Sequence, residues 1–155
     1  GIRSRIISAR PDPVYALLSG RGQYDAAPIL KELGRNLHSD ALRLGIMNGD
    51  LCLPFLSFVY GEAQLNGKTA VVSLYRLRRG PKGERAHLGS LLERLVKIAI
   101  HESAHVLGMT HCREPGCIMH FSPGLECLDS LSPTFCPECA VALGLRLGTY
   151  TDPLG

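Results

Sequence analysis

The chain has 155 residues, of which 45% are hydrophobic and 20% charged, with a formal net charge of +3. This length is enough for one packed core but short for two, so we expect a single globular domain over residues 1–155. The charge lacks the dense basic stripes of nucleic-acid-binding proteins, and no apolar run reaches the roughly eighteen residues of a membrane span. We therefore expect a soluble, cytoplasmic monomer with neither a membrane nor a nucleic-acid partner.

The N-terminal third of the chain predicts one strand and one helix. Residues 2–9 alternate polar and apolar side chains, which is typical of a half-buried strand. Asp25 can cap the first backbone N–H groups of a helix, and Pro28 is tolerated in its first turn. The apolar face of that helix would consist of Ile29, Leu30, Leu33 and Leu37.

Short β-rich runs follow the first helix, at 42–47, 56–65 and 69–77. They are separated by the turn-forming triplets Asn-Gly-Asp at 48–50 and Asn-Gly-Lys at 66–68. Such triplets between β-rich runs predict tight turns, so we expect a small sheet with a hairpin at 66–68.

The segment 76–85 concentrates five basic residues around two glycines and a proline. A solvated loop is the simpler interpretation of such a run. Contact with an acidic substrate or with nucleic acid is the alternative.

A longer helix is predicted after this loop. Residues 90–93, Ser-Leu-Leu-Glu, match a capping box, and apolar residues then recur at helical spacing as far as Leu107. Gly108 is expected to end the helix. A last short helix is predicted at 137–147.

Residues 101–112, HESAHVLGMTHC, contain three histidines at the spacing of one metal site. His101 and His105 are four residues apart on the predicted helix, so both imidazoles project from one face and can bind one zinc ion. Gly108 allows the chain to leave the helix in a conformation that other residues avoid, and His111 can then approach as the third ligand. Three protein ligands leave the fourth tetrahedral position open for water, which is typical of a catalytic zinc.

Glu102 lies beside the first histidine and is the candidate general base. Zinc lowers the pKa of a bound water towards about 7, and Glu102 would accept its proton as the water attacks a carbonyl. A chance HExxH on a surface helix is the simpler alternative, but the added glycine and third histidine argue against it. The motif therefore predicts a hydrolase that cleaves amide bonds.

Four cysteines form two pairs at spacings suited to a second metal: Cys112, Cys117, Cys136 and Cys139. Four thiolates are typical of a structural zinc site. Residues 109–155 contain few apolar side chains, so metal binding would supply folding energy that a small core cannot. Because Cys112 directly follows His111, the second zinc would also fix the loop that carries the third histidine. We therefore expect two zinc ions per chain.

An alternative for the same four cysteines is a pair of disulfides. Nothing in the sequence indicates export, however, and CPEC-type pairs are as readily bound to metal or redox-active. Outside this set, we expect Cys52 to be buried as a small hydrophobe and Cys127 to be an incidental loop thiol.

The order HExxHxxGxxH followed by a methionine turn resembles the metzincin clan of zinc proteases, and residues 117–120 resemble that turn, with Met119 beneath the histidines. More narrowly, HExxHxxGxxHC followed by CxM and CxxC resembles the archaemetzincins. The resemblance extends over most of the chain, to QYDA at 23–26, DLCLPFLSFVYGEA at 50–63 and AVVSLYRL at 70–77.

This resemblance implies an α+β fold: a small metzincin-like zincin domain with a twisted mixed sheet, an active-site helix and a short zinc-stabilised C-terminal subdomain. The upper region would span residues 1–108, and the lower region, with the four-cysteine site, residues 109–155. The resemblance also implies a catalytic zinc on the histidines, a structural zinc on the cysteines and a peptide or protein substrate. The substrate would add to the sheet along an edge strand expected at 70–77.

Two side chains after Met119 need separate consideration. Phe121 stands where some metzincins carry a tyrosine that binds zinc or donates to the transition state, so no such switch is available. His120 could contribute a hydrogen bond near the metal, but a supporting or packing role is the simpler expectation.

The leading hypothesis is therefore a zinc metallopeptidase. One alternative is a zinc-stabilised binding module, with the four-cysteine site as its organiser and residues 76–85 as its contact surface; another is a peptidase tethered to DNA. Glu102 favours the peptidase over the binding module, because a structural metal needs neither a general base nor an open coordination position.

Overall fold

The computed structural model describes residues 4–38, 41–80 and 82–149. Its strands are β1 (Leu17–Leu18), β2 (Gln23–Asp25), β3 (Arg43–Met47), β4 (Leu51–Cys52), β5 (Gly61–Ala63) and β6 (Thr69–Ser73). Its α-helices are α1 (Ala26–Leu33), α2 (Leu74–Leu77), α3 (Leu88–Val106), α4 (Leu125–Ser130) and α5 (Pro137–Arg146), and a 3-10 turn at Val14–Ala16 precedes β1. In these residues no helix is both long and apolar enough to cross a membrane.

The strands form two small sheets, in the orders β1-β2-β4 and β3-β6-β5. In the second sheet β6 is parallel to β3 and antiparallel to β5, and all five of its residues are buried. Successive side chains of a strand point to opposite faces. Val71 packs in a cluster with Ile29 and Leu30 of α1, whereas Val72 packs with Ile98 of α3, so the two helices cover opposite faces of β6. This mixed arrangement confirms the predicted α+β class.

The predicted boundaries around β6 are partly confirmed. The 66–68 triplet forms the hairpin between β5 and β6, with Asn66 in the left-handed region at a φ of 52°. The run at 69–77, however, is a strand only as far as Ser73, because the Ser73 hydroxyl accepts a hydrogen bond from the Tyr75 backbone N–H and starts α2. The expectation that 70–77 is an edge strand is wrong, since β6 lies between β3 and β5.

The first helix begins where the sequence predicts. The Asp25 side chain accepts a hydrogen bond from the Ala27 backbone N–H, at 3.0 Å, and caps α1. The helix ends at Leu33, so Leu37 does not extend its apolar face. The strand expected at 2–9 is wrong for residues 4–9, which have no regular structure; Ile6 is fully exposed and no neighbouring strand pairs with this segment in the described residues.

The long helix α3 extends beyond its predicted start. It begins at Leu88 with His87 as the N-terminal cap, so Ser90 and Glu93 lie inside the helix and the predicted capping box is wrong. The Leu91 backbone N–H bonds to the His87 carbonyl, which adds a hydrogen-bonded turn that the side-chain motif alone does not reveal. At the other end Gly108 has a φ of +86°, as its predicted role requires.

Two cationic side chains of α3 join it to α4. The Arg94 guanidinium pairs with the Asp129 carboxylate at 2.5–2.6 Å. Lys97 is almost completely buried, and its ammonium donates to the carbonyls of Leu128 and Asp129 at 3.2 and 3.0 Å and pairs with the Glu93 carboxylate. These bonds fix α4 below the active-site helix. The division of the chain after residue 108 into an upper and a lower region stays a prediction.

Candidate metal centre and active site

Three histidines converge at the end of α3. His101 and His105 lie one turn apart on the helix, and the turn at Gly108 brings His111 towards them. Their ring centroids are 4.6 to 5.2 Å apart, and one nitrogen from each ring lies within 4.8 Å of the others. The Nε2 atoms of His101 and His105 are 3.0 Å apart. The three nitrogens therefore face a common point, where one metal ion can bind.

Backbone carbonyls orient two of these rings. The Nδ1 atom of His101 lies 2.8 Å from the Ile118 carbonyl oxygen, and that of His105 lies 2.7 Å from the Met109 carbonyl oxygen. A carbonyl can only accept, so each Nδ1 carries the proton and each Nε2 keeps its lone pair. The neutral tautomer that binds a metal is thus selected by the fold itself.

Two of the histidines are also held in their neutral form. Burial, together with the neighbouring His105 and His111 and against the effect of the Ile118 carbonyl, lowers the pKa of His101 to about 4. Burial likewise lowers the pKa of His111, with further contributions from His105 and His120. Neutral imidazole is the metal-binding form, so protons do not compete for these nitrogens at neutral pH.

The turn after α3 is supported by the β5–β6 hairpin. The Asn66 backbone N–H donates to the His105 carbonyl at 3.0 Å, which satisfies one of the free carbonyls of the helix end. A Cβ on Gly108 would lie 3.2 Å from the Asn66 side-chain oxygen, and φ at Gly108 is positive. Glycine is therefore required on both grounds. Sequence reasoning found Gly108 but missed Asn66, whose role depends on a contact with a distant segment of the chain.

Glu102 is buried beside the three rings, on the side of strand β5. Burial, with a smaller contribution from the charge of Glu62, raises the pKa of its carboxyl group to about 8. A Cβ on Gly61 would lie 2.6 Å from Cγ and 2.8 Å from Oε1 of Glu102. Strand β5 can therefore approach the glutamate this closely only because residue 61 has no side chain. Sequence reasoning did not single out Gly61, although it lies in the segment 50–63.

The site opens into a cleft of about 650 Å³. Strand β5 and the segment that precedes it form one wall, and residues after Met119 together with α4 form the other. Most of the lining side chains are apolar or aromatic, and they include Leu56, Phe58, Tyr60, Ile98, Ile118, Phe121, Leu128 and Leu131. The lining is thus suited to a polypeptide with apolar side chains.

Four thiols form a second cluster below the histidines. The sulfur atoms of Cys112, Cys117, Cys136 and Cys139 lie within 4.8 Å of one another, and all are free thiols, so the disulfide alternative is wrong for this structure. The Cys112 and Cys136 sulfurs are 3.8 Å apart. Four sulfurs at about 2.3 Å from a tetrahedral zinc are separated by about 3.8 Å, so this distance fits the ion. The backbone N–H groups of Glu114 and Cys136 donate to the sulfur atoms of Cys112 and Cys117, respectively, each at 3.4 Å.

The segment 109–120 connects the two clusters. His111 and Cys112 are adjacent, and the Ile118 carbonyl that orients His101 directly follows Cys117. The Cys112 backbone N–H donates to the Met119 carbonyl at 2.8 Å, which closes the segment into a loop. Its position depends on contacts at both clusters.

The remaining side chains singled out in the sequence have simpler surroundings. Met119 is fully buried in a cluster with Ala104 and Met109. His120 lines the cleft, with Nδ1 3.2 Å from the Cys112 carbonyl, and the Phe121 ring lies 5.5 Å from that of His111. Cys52 is buried, as expected. In the basic segment 76–85, Arg76 is bound to Asp50 and Arg78 to Asn48, so neither is free as a contact for an acidic partner.

The fold and the site together define a class of protein. An α+β domain whose HExxH helix presents two histidines to a third, beside a buried glutamate in an apolar cleft, is the arrangement of a zinc metallopeptidase. A family model described as Peptidase family M54 matches residues 17–144. The chain therefore belongs to this family of zinc metallopeptidases, the archaemetzincins.

Individual relatives agree with this assignment. The archaemetzincin of Methanocaldococcus jannaschii is 39% identical over 138 residues, which cover 89% of this chain and 75% of the relative. The archaemetzincin of Methanopyrus kandleri is 40% identical over 136 residues, covering 87% and 74%. This chain thus spans about three quarters of the length of each.

Solved structures show the same fold. The crystal structure of the Methanopyrus kandleri archaemetzincin matches with a TM-score of 0.79 at 38% identity, covering 88% of this chain and 72% of that one. The archaemetzincin of Archaeoglobus fulgidus, crystallised with malonate, matches with a TM-score of 0.74 at 34% identity, covering 86% and 78%. A zinc-dependent peptidase from Methanocorpusculum labreanum matches with a TM-score of 0.72 at 31% identity, covering 92% and 83%.

Proposed function

We propose that this chain hydrolyses peptide bonds at the three-histidine site, with His101, His105 and His111 as ligands of a catalytic zinc and Glu102 as general base. The observation that carries the proposal is the convergence of three imidazoles beside a buried carboxyl group in an apolar cleft. Membership of a zinc metallopeptidase family supports it.

The donor set fits a catalytic zinc. Three imidazole nitrogens supply fewer ligands than a closed tetrahedral site requires, and the site faces the cleft rather than the core. When bound there, zinc supplies a Lewis acid that makes water acidic near neutral pH and polarises a carbonyl group. The Ile118 and Met109 carbonyls hold two of the imidazoles in position for it.

Glu102 is suited to proton transfer. A general base works best when its pKa lies near the operating pH, and burial brings this carboxyl group into that range; a bound cation would lower its pKa again and favour the carboxylate. Glu102 accepts a proton from the attacking water and returns it to the nitrogen of the departing amine. Gly61 leaves the space in which its carboxylate turns between these positions.

The substrate binds along β5 rather than β6 in this proposal. Strand β5 is at the edge of its sheet, pairs only with β6 within the described residues, and lines the cleft. Its free edge offers backbone N–H and C=O groups to an extended peptide, which would add as a further strand. A peptide bound along β5 would lie beside Glu102, because Gly61 of this strand is close to that side chain.

The proposal also includes a structural zinc on Cys112, Cys117, Cys136 and Cys139. The Cys112–Cys136 separation and the backbone N–H groups directed at two of the sulfurs support it. With four protein ligands no position is left for water, so this ion would stabilise the fold and take no part in the reaction. The chain would hold two zinc ions.

The test compares wild type with Glu102→Gln on a diverse peptide library, with the zinc content of both proteins measured. We expect unchanged zinc and a loss of hydrolysis of about 10²- to 10⁴-fold, because the amide cannot accept the proton. Glu32→Gln on α1 is the control and should keep full activity. Undiminished cleavage by Glu102→Gln would contradict the assignment of the base.

A further inference from the structure

The segment between β4 and β5, residues 53–60, forms one wall of the cleft. Leu56, Ser57, Phe58, Val59 and Tyr60 line it in sequence. Apart from an isolated bridge between Leu51 and Val59, the segment has no regular secondary structure. Backbone hydrogen bonds hold it at Leu53, Leu56, Val59 and Tyr60, and side chains from elsewhere bind further carbonyls between these points.

Arg21 provides one such support. Its guanidinium donates to the carbonyls of Leu56 and Ser57 at 2.7 and 2.9 Å, with longer contacts at 3.5 and 3.4 Å to those of Leu53 and Pro54. The planar fork of arginine can serve several acceptors at once. One side chain outside the cleft thus contacts four backbone carbonyls of the wall.

Gln23 connects this contact to the core. It is buried, and its amide nitrogen donates to the Ser57 carbonyl and to the Asp50 carboxylate, both at 2.9 Å. Its amide oxygen accepts from Arg21 Nε at 2.8 Å. Both amide hydrogens and the oxygen are used, so the Gln23 side chain has one defined orientation and fixes Arg21 relative to the wall.

Asp50 and Arg76 complete the network on the side of the aromatic residues. The Arg76 guanidinium binds both oxygens of the Asp50 carboxylate at 2.7 Å and lies 4.1 Å from the centroid of the Phe58 ring. Phe58 in turn makes an edge-on contact with Tyr60. The network therefore holds both the backbone and the apolar side chains of the wall.

We propose that Arg21 and Gln23 are positioning residues that set the cleft wall 53–60 for substrate binding. This inference rests on the proposed function, and it gives a role to Gln23 and to residues 53–60, which take no part in the proposed chemistry at the metal. The part of the substrate that contacts this wall is an apolar side chain, because Leu56, Phe58 and Tyr60 line the cleft there. Because the wall is ordered before the substrate binds, binding does not carry the entropic cost of ordering it.

The experiment measures the binding of two zinc-chelating probes to zinc-loaded protein. Acetohydroxamate is small enough to contact only the metal site, whereas a leucyl peptide hydroxamate also reaches the wall. The variants are Arg21→Ala, Arg21→Lys and Gln23→Glu. The matched control is Arg43→Ala, because Arg43 also donates to a backbone carbonyl, that of Leu33, but outside the cleft.

For Arg21→Ala we expect the peptide hydroxamate to bind about tenfold more weakly, with acetohydroxamate binding and zinc content unchanged. The KM for a peptide substrate should rise by a similar factor at constant kcat, and amide hydrogen exchange in residues 53–60 should accelerate. Arg21→Lys should recover part of the loss. Gln23→Glu should show a larger effect, because it removes both donors and places a carboxylate against Asp50.

Two results would overturn the inference: equal weakening of both probes, which would indicate damage at the metal, or wild-type binding and exchange in Arg21→Ala. Because Arg21 is exposed, its replacement by alanine should not prevent folding. Arg21→Ala therefore tests the inference even if Gln23→Glu does not fold. If wild type binds neither hydroxamate, the proposed function fails, and exchange in residues 53–60 alone then decides the positioning role.

Discussion

Glycine at position 61 decides how closely the edge strand approaches the carboxyl group of Glu102, the proposed general base. Any larger residue must displace Glu102, since a Cβ there would lie within 3 Å of three of its side-chain atoms. Glu102 lines the cleft beside the histidines, so a displaced carboxyl group would lose its position relative to them. The geometry of the base thus depends on a residue that carries no chemistry itself.

We therefore expect Gly61→Ala to bind zinc normally but to hydrolyse peptides about a hundredfold more slowly, because the proton acceptor is displaced from the water. Steady-state kinetics and zinc analysis check this. Gly20→Ala is the matched control, as a Cβ there meets nothing within 4 Å. Normal activity in Gly61→Ala would show that Glu102 tolerates the displacement.

At the scale of elements, α3 is the organising unit. One helix carries two of the three clustered histidines, the buried Glu102 and both cations that bind α4, and its last turn is completed by the β5–β6 hairpin. The two ends of this helix differ in whether they require a glycine. Gly108 has a positive φ and a close neighbour, whereas Gly89 lies in the first turn with open space around it.

Replacing these two glycines by alanine should have effects of opposite sign. Gly108→Ala should lower the free energy of unfolding by about 1–2 kcal/mol, since alanine is strained in the left-handed region. Gly89→Ala should raise it by up to about 1 kcal/mol, because alanine favours a helix and loses less backbone entropy. Urea denaturation of both variants measures the difference, and a loss of stability in Gly89→Ala would contradict the explanation.

The buried Lys97 offers a test of how α4 is fixed. In Lys97→Met the carbonyls of Leu128 and Asp129 lose a buried charged donor, and we expect the free energy of unfolding to fall by about 2 kcal/mol. Amide exchange in α4 should accelerate more than in α1. Lys31→Met on the exposed side of α1 is the control. Equal stability of Lys97→Met and wild type would mean that apolar packing and the Arg94–Asp129 pair are sufficient to hold α4.

At the scale of the molecule, the region after residue 108 depends on its cysteines. It has a small apolar cluster, and four of the members or neighbours of that cluster are the thiols themselves. In the proposed two-zinc protein, metal binding would therefore supply stability that packing does not provide in this region. The segment 109–120 also carries His111 and the two carbonyls that orient the other histidines. We therefore expect loss of metal from the four-cysteine site to weaken metal binding at the three-histidine site.

We expect Cys139→Ser to contain one zinc ion fewer per chain, to have a melting temperature lower by on the order of 10 °C, and to bind the remaining zinc more weakly. Metal analysis, calorimetry and chelator competition measure these three effects. Cys127→Ser, outside the set of four, is the control. Unchanged zinc content in Cys139→Ser would remove the basis for a second metal site.

Most of the chemistry was predictable because it depends on local spacing. Histidines four residues apart share a helix face whatever surrounds the helix, and Asp25 caps α1 through a contact two residues away. The start of α3 and the strand expected at 2–9 were predicted wrongly, since backbone bonding at the helix start and the need for a strand partner are not local side-chain signals. The monomeric state and the cellular location stay predictions.

The sequence by itself was sufficient to predict the three-histidine and four-cysteine groups that converge in the structure, and the glycine that turns the chain between them, because residue type and spacing along one chain are sufficient for each. The α+β class followed from the family resemblance that these motifs carry. Tertiary structure alone decided that β6 is central and β5 is the edge, that Gly61 faces Glu102, and that Arg21 and Gln23 support the cleft wall. These features depend on which distant segments lie side by side. The packing of the whole core decides which segments are neighbours, and no motif of fixed spacing in the sequence predicts it.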